Sequence, residues 1–160
     1  MTIRPATLAD TDALWAIIEP VLRAGETYAL PRDWSREKAL MYWCGTPHQV
    51  FLAEMENQIS GTYFLTPNQK GGGAHVANCG FMTAEAANGR GVATAMCQHA
   101  LDTAKAQDFY AMQFNFVVST NVRGVALWRR FGFEILARIP EAFDHPTHGR
   151  VDALLMYRRL

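Results

Sequence analysis

Apolar residues recur every three or four positions at Ala13, Ile17, Ile18, Val21 and Leu22, which predicts a helix with one buried face. Thr7 to Asp12 offer caps at its start, Gly25 breaks it, and Thr2 to Arg4 before it form a short strand ended by Pro5. From Glu26 to Pro31 neither period holds, which predicts an irregular loop. Ser35 caps a second helix through Ala39, Leu40, Tyr42 and Trp43, ending toward Gly45 and Pro47. Val50 to Ala53 and Ile59 to Thr66 read as a strand pair joined by a moderately long connection over Glu54 to Gln58.

In the second half, Pro67 to Gly73 is a glycine-rich loop into a buried strand, Val76 to Thr83. Ala93, Met96, Cys97, Ala100, Leu101 and Ala104 then mark one face of a long helix. Ala111 to Ser119, with Phe114, Phe116, Val117 and Val118, reads as a strand buried on both faces. Asn121 caps a helix from Val122 to Phe131 that Gly132 ends; Phe133 to Ile139 is a strand, Pro140 to Arg150 a loop and Val151 to Tyr157 the closing strand. The sum is one α/β domain over residues 1–160, a mixed and mostly antiparallel sheet of about seven strands with helices on both faces.

Composition narrows the partners. Hydrophobic residues make up 49% and charged residues 19%, as expected of a folded chain, and fifteen basic residues balance fifteen acidic ones. No global field therefore draws nucleic acid or an anionic membrane, and no apolar run approaches the roughly 18 residues of a membrane span. Cys44, Cys79 and Cys97 form an odd set without a CxxC pair, and the chain starts without a basic-then-apolar leader. A reduced, cytoplasmic setting is expected.

The candidate chemistry lies where the strand ending at Thr83 feeds the long helix through Asn88, Gly89, Arg90, Gly91, Val92 and Ala93. The first amides of a helix lack intrahelical partners and carry its positive dipole end, so this turn can cradle a phosphate. An ordinary turn would also favour glycine. A dinucleotide fingerprint fits poorly, because Thr94 takes its third small position and Asp108 precedes the next strand instead of ending it. The triphosphate loop needs Gly-Lys-Ser/Thr, which does not occur.

The segment resembles the acetyl-coenzyme A (acetyl-CoA) motif of the GCN5-related N-acetyltransferases, Gln/Arg-x-x-Gly-x-Gly/Ala, with Gly91 and Ala93 in the last two fixed places and Asn88 where Gln or Arg is usual. A second block, Asn121, Ala126, Leu127, Trp128, Gly132 and Phe133, follows that family's Asn-x-x-x-x-Ala-Leu-Tyr-x-x-x-Gly-Phe pattern, with Trp128 replacing the tyrosine. The resemblance implies the acyl-CoA N-acyltransferase fold, with two central strands splayed near Thr83 and Val117, and acetyl-CoA as co-substrate. It implies that backbone groups of Phe81, Met82 and Thr83 pair with the pantetheine arm and that amides from Gly89 to Thr94 hold the pyrophosphate. Asn121 would reach the pantetheine or acetyl end, although helix capping explains it nearly as well. A homodimer is the usual assembly.

Direct acetyl transfer to a primary amine needs a base, because an aliphatic amine is mostly protonated at pH 7, and a proton donor for the departing thiolate. Trp128 cannot be that donor and is expected to pack beside the cofactor. Tyr28 and Tyr157 are candidate acids, and Glu26 and Glu85 are the carboxylates nearest the expected cleft, each more readily explained as a solvated or capping residue. His145 and His148 lack the partners a zinc site needs, so no metal is expected. His75 and His99 read as structural. A small-molecule amine is the expected acceptor, since the chain lacks an acidic run to hold basic peptides. A protein α-amine or lysine, a non-catalytic acyl-CoA sensor and a dinucleotide-binding module remain alternatives.

Overall fold

The structure, a computed structural model, describes residues 1–160. Its strands are β1 (Thr2–Pro5), β2 (Gln49–Met55), β3 (Gln58–Pro67), β4 (Val76–Thr83), β5 (Ala111–Val118), β6 (Glu134–His145) and β7 (Gly149–Arg159). Its α-helices are α1 (Thr11–Ala24), α2 (Arg36–Cys44), α3 (Val92–Ala106) and α4 (Val122–Arg130). The strands form one sheet in the order β1-β2-β3-β4-β5-β7-β6. Every neighbouring pair is antiparallel except β4 with β5, which run parallel and pair only through Val76 with Ala111 and Ala77 with Met112. The mixed seven-stranded sheet and its parted central strands are those expected from the sequence.

Each face of the sheet has its own core. On one face Leu14, Ile17, Ile18 and Leu22 of α1 meet Trp43, Leu52, Phe64 and Met82. Burying each large aliphatic chain contributes about 1.5–3 kcal/mol relative to exposure, which is why the periodic face of α1 sets where the helix lies. The Trp43 indole N–H donates to Thr62 Oγ1 at 3.1 Å, and that hydroxyl donates to the Phe51 carbonyl at 3.0 Å, so the buried polar atoms are satisfied. On the other face Met96, Cys97, Ala100 and Leu101 of α3 pack on Tyr63, Leu65, Phe114 and Met156. Gly61 lets α3 approach this closely: a Cβ there would lie 2.8 Å from Val92 Cγ1 and 2.9 Å from Met96 Cε.

Two connections differ from expectation. The link between β2 and β3 is a tight turn over Glu56 and Asn57, both with positive φ (55° and 62°), the twist a two-residue hairpin requires. The predicted loop Pro140 to Arg150 is instead most of a hairpin, since β6 continues to His145 and β7 begins at Gly149. Pro140 is tolerated because β6 is an edge strand and its pairing with β7 is interrupted by a bulge between Ile139 and Phe143. No helix is long and apolar enough to cross a membrane.

At the chain start the Arg4 guanidinium grips both carboxylate oxygens of Asp10, at 2.8 and 2.9 Å, and Glu54 Oε1 at 2.8 Å. These bonds, with the Thr7 N–H at 2.7 Å, hold the Asp10 carboxyl far below its usual range. A depressed carboxylate contributes its stability fully above the unfolded value, about 4, and loses it as pH falls further. Asp10→Asn is therefore expected to lower the melting temperature at pH 7 but to narrow its deficit at pH 3. Equal deficits at both pH values in thermal melts would show that the ion pair contributes nothing.

Candidate active site

The parting of β4 from β5 is built into the register. In the β3–β4 ladder, Ala84 N–H bonds to the Ser60 carbonyl and Asn68 N–H to the Val76 carbonyl, so the even-numbered residues of β4 face β3. The peptide groups of Cys79, Phe81 and Thr83 consequently face the gap, whereas the Met82 peptide is turned to Thr62 on β3. Beyond Ala77 and Met112 no β5 partner meets that edge. The gap holds a cavity of about 280 Å³ lined mostly by apolar residues, with Thr27, Asn78, Asn115 and Asn121 placed among them.

The helix start lies at the surface beside this gap. Gly89 and Gly91 have φ of 76° and 81°, left-handed values that glycine adopts without strain, and a Cβ at either would meet nothing within 4 Å. Asn88, Gly89, Arg90 and Gly91 are exposed while Val92 is buried, so the turn faces outward as the helix anchors inward. The first helical bond is Ala95 N–H to the Gly91 carbonyl, leaving the N–H groups of Gly91, Val92, Ala93 and Thr94 without backbone partners. Arg130 of α4 donates to Thr94 Oγ1 at 2.9 Å, which brings a second guanidinium to the first turn. Arg90 pairs with Glu56 at 2.6 Å. An anion here meets free amides and positive charge, so these residues fit a phosphate.

Aromatic rings bridge the gap on the α3 and α4 face. Trp128, 8% exposed, lies with its ring centroid 5.0 Å from Phe81 on β4 and 5.1 Å from Phe114 on β5. On the opposite side Tyr28 reaches in from the loop after α1 and donates its hydroxyl to the Phe81 carbonyl at 2.8 Å. Burial raises the Tyr28 phenol well above its ordinary value, so it stays protonated. Asn121 caps α4 by accepting from Gly124 N–H at 3.1 Å through Oδ1, which leaves its Nδ2 free at the cavity wall. Cys79 also lines the cavity, and burial pushes its thiol up, which keeps it from acting as a thiolate nucleophile.

The remaining candidates are scattered. Glu26 lies at a neighbouring hollow and is exposed; Glu85 is exposed on a short turn before Asn88. Tyr157, paired with Gln113 and Glu134, does not line the cavity. His99 takes the Tyr63 hydroxyl at 2.6 Å beneath α3, and His75 is exposed against Tyr110. Sequence reasoning missed Arg130, Asn78 and Asn115. For the two asparagines a signal existed, since each is a polar residue inside a mostly apolar strand; for Arg130 there was none, because its reach to Thr94 depends on how α4 packs.

The profile of the acetyltransferase (GNAT) family matches residues 13–133. Among curated proteins, N-acetyltransferase aca1 of Schizosaccharomyces pombe is 27% identical over 103 residues, which are 64% of this chain and 49% of that one. The chain thus spans about half the length of that relative. A GCN5-related N-acetyltransferase from Kribbella flavida superposes with a TM-score of 0.94 at 39% identity, over 99% of this chain and 97% of that one. The yncA protein of Salmonella typhimurium, solved with its cofactor acetyl-CoA, shares the fold at a TM-score of 0.86 and 20% identity, over 100% of this chain and 94% of that one. With the profile spanning both the glycine turn and the Asn121 block, and with the parted sheet around them, this chain belongs to the acetyltransferase (GNAT) family.

Proposed function

We propose that this chain transfers an acetyl group directly from acetyl-CoA to a primary amine of a small molecule. One observation carries the reading: the unpaired peptide edge of β4 lines an open cavity at Cys79 and Phe81, and the same strand leads through a short turn to the unpaired amides at the start of α3. The exposed edge offers backbone hydrogen bonds to the pantetheine amides at Phe81 and Thr83, as an added strand would. Met82 supports that edge by packing, since its own peptide is spent on β3. Asn88 to Thr94, with Arg90 and Arg130, neutralise the pyrophosphate, Asn121 Nδ2 donates toward the acyl end, and Trp128 walls it from water.

The reaction asks two proton movements of the protein. The acceptor ammonium must lose a proton, and Glu26 at the adjoining hollow is the carboxylate able to take it directly or through water. The amine nitrogen then bonds to the acetyl carbon as the C–S bond breaks, and the departing thiolate takes a proton. Tyr28 is a poor source, because its raised affinity for that proton exceeds that of a thiol and its O–H is committed to Phe81. Its role in this reading is to aim the Phe81 peptide, and solvent protonates the thiolate. Direct transfer is favoured over an acyl-enzyme because the one thiol lining the cavity, Cys79, is held protonated.

The fold by itself leaves the acceptor open. The ribosomal-protein-alanine N-acetyltransferase of Brucella melitensis, for one, shares it with a TM-score of 0.84. A cavity of about 280 Å³ walled by Leu30, Tyr42 and Phe64 suits a small acceptor better than an extended peptide. Free-thiol release from acetyl-CoA across a library of small amines, N-terminal peptides and lysine peptides is expected to show turnover with a small amine. Tight acetyl-CoA binding without turnover on any acceptor would instead identify a sensor.

A further inference from the structure

Beside the acetyl cavity lies a second hollow of about 220 Å³, between the loop after α1, the turn from β5 into α4 and the end of β6. Thr27 and Asn121 line both spaces, so one small molecule can occupy them together. Six of the seven residues around it are polar or charged, and several of their polar groups have no partner within the protein.

His145 is the most telling of them. It is only 7% exposed, and its Nδ1 faces the N–H groups of Thr147 and His148 at 3.2 and 3.3 Å and the Thr147 hydroxyl at 3.2 Å. Backbone N–H groups can only donate, so Nδ1 is the acceptor and the ring carries its proton on Nε2. Nε2 has no protein partner and is not fully buried, and His145 is one of the residues lining the hollow. Thr120 Oγ1 is a buried side-chain oxygen without a partner. Arg123 makes no ion pair, and its backbone N–H, in the first turn of α4, is left free between Val122, which bonds to Thr120, and Gly124, which Asn121 caps. Glu26, with no partner of its own, supplies one negative charge across from these donors.

A wall of donors facing a single carboxylate matches a molecule bearing both charges. We propose that this hollow binds the carboxylate of a free α-amino acid through His145 Nε2–H and Arg123, with the amino group turned to Glu26 and the acetyl cavity. The inference rests on the acetyltransferase reading above, and it names the acceptor class. A protein N-terminus presents an amide where the amino acid has a carboxylate, and a lysine side chain presents nothing there, so the hollow selects against both.

The test compares the twenty L-α-amino acids with their carboxamides in thiol release, after acetyl-CoA binding has been measured by calorimetry. The amide's amine is the less basic and is more abundant as the free base at pH 7, so a preference for the acid cannot arise from the amine itself. The preferred acid is expected to show a KM roughly tenfold or more below that of its amide, the scale of a charge-assisted hydrogen bond. Arg123→Gln and His145→Asn should each erase that preference while leaving the KM for acetyl-CoA in place. Asn keeps an acceptor near the Nδ1 position and so preserves the turn, but it lacks the Nε2 donor. Equal KM values for acid and amide, or a preference that survives both substitutions, would overturn the subsite. If nothing turns over, titration of the acids and amides into the CoA complex decides, and absence of selective acid binding counts against it. Failure to bind acetyl-CoA would instead remove the acetyltransferase reading itself.

Discussion

Gly91→Asp is expected to weaken acetyl-CoA binding by roughly a hundredfold or more, equivalent to about 2.7 kcal/mol, while the protein stays folded. Two effects combine. A side chain at φ 81° strains the turn by about 1–2 kcal/mol, and a carboxylate then stands where the pyrophosphate would meet the free amides of α3. The fold is spared because a Cβ there meets nothing within 4 Å. Gly91→Ala separates the two contributions, since it carries the strain without the charge and should lose much less affinity. Calorimetry with CoA, alongside circular dichroism, checks both; an unchanged dissociation constant for the aspartate variant would remove the proposed cradle.

Trp128 carries the second large effect. Its indole bridges Phe81 and Phe114 across the parted strands, and Trp128→Ala should cost about 3–5 kcal/mol of stability by opening a cavity among those rings. Trp128→Tyr retains much of the packing and places a hydroxyl where the wider family carries one. If the thiolate is protonated by solvent in the native protein, the tyrosine variant should equal or exceed it in turnover. A collapse of turnover in a variant that melts normally would show that the indole itself is needed, as a wall against water or as a hydrogen-bond donor.

Much of this was legible before any coordinates. The three- and four-residue spacing of Ile17, Ile18, Val21 and Leu22, and of Met96, Cys97 and Ala100, is a local code, and those helices lie where the pattern puts them. The glycine turn was legible for the same reason, since φ near 80° is demanded by the backbone at Gly89 and Gly91. What escaped depended on contacts distant in sequence. Pro140 reads as the start of a loop until β6 is known to be an edge strand whose bulge absorbs it. The Glu56 and Asn57 turn looked longer because left-handed residues other than glycine give a weak signal. From sequence Tyr28 is a candidate acid, but its bond to Phe81, 53 residues away, is a product of packing alone. His145 was weighed as a metal ligand because of its neighbour, whereas its tautomer depends on the turn it closes.

The brief meeting of β4 and β5 has a mechanical side. Two residue pairs are all the ladder that joins the β1–β4 half of the sheet to the β5–β7–β6 half, so beyond Ala77 the seam is spanned by side chains such as Trp128. The cohesion of the two halves beyond that point therefore rests on packing, with α3 touching Tyr63 and Leu65 of one half and Phe114 and Met156 of the other.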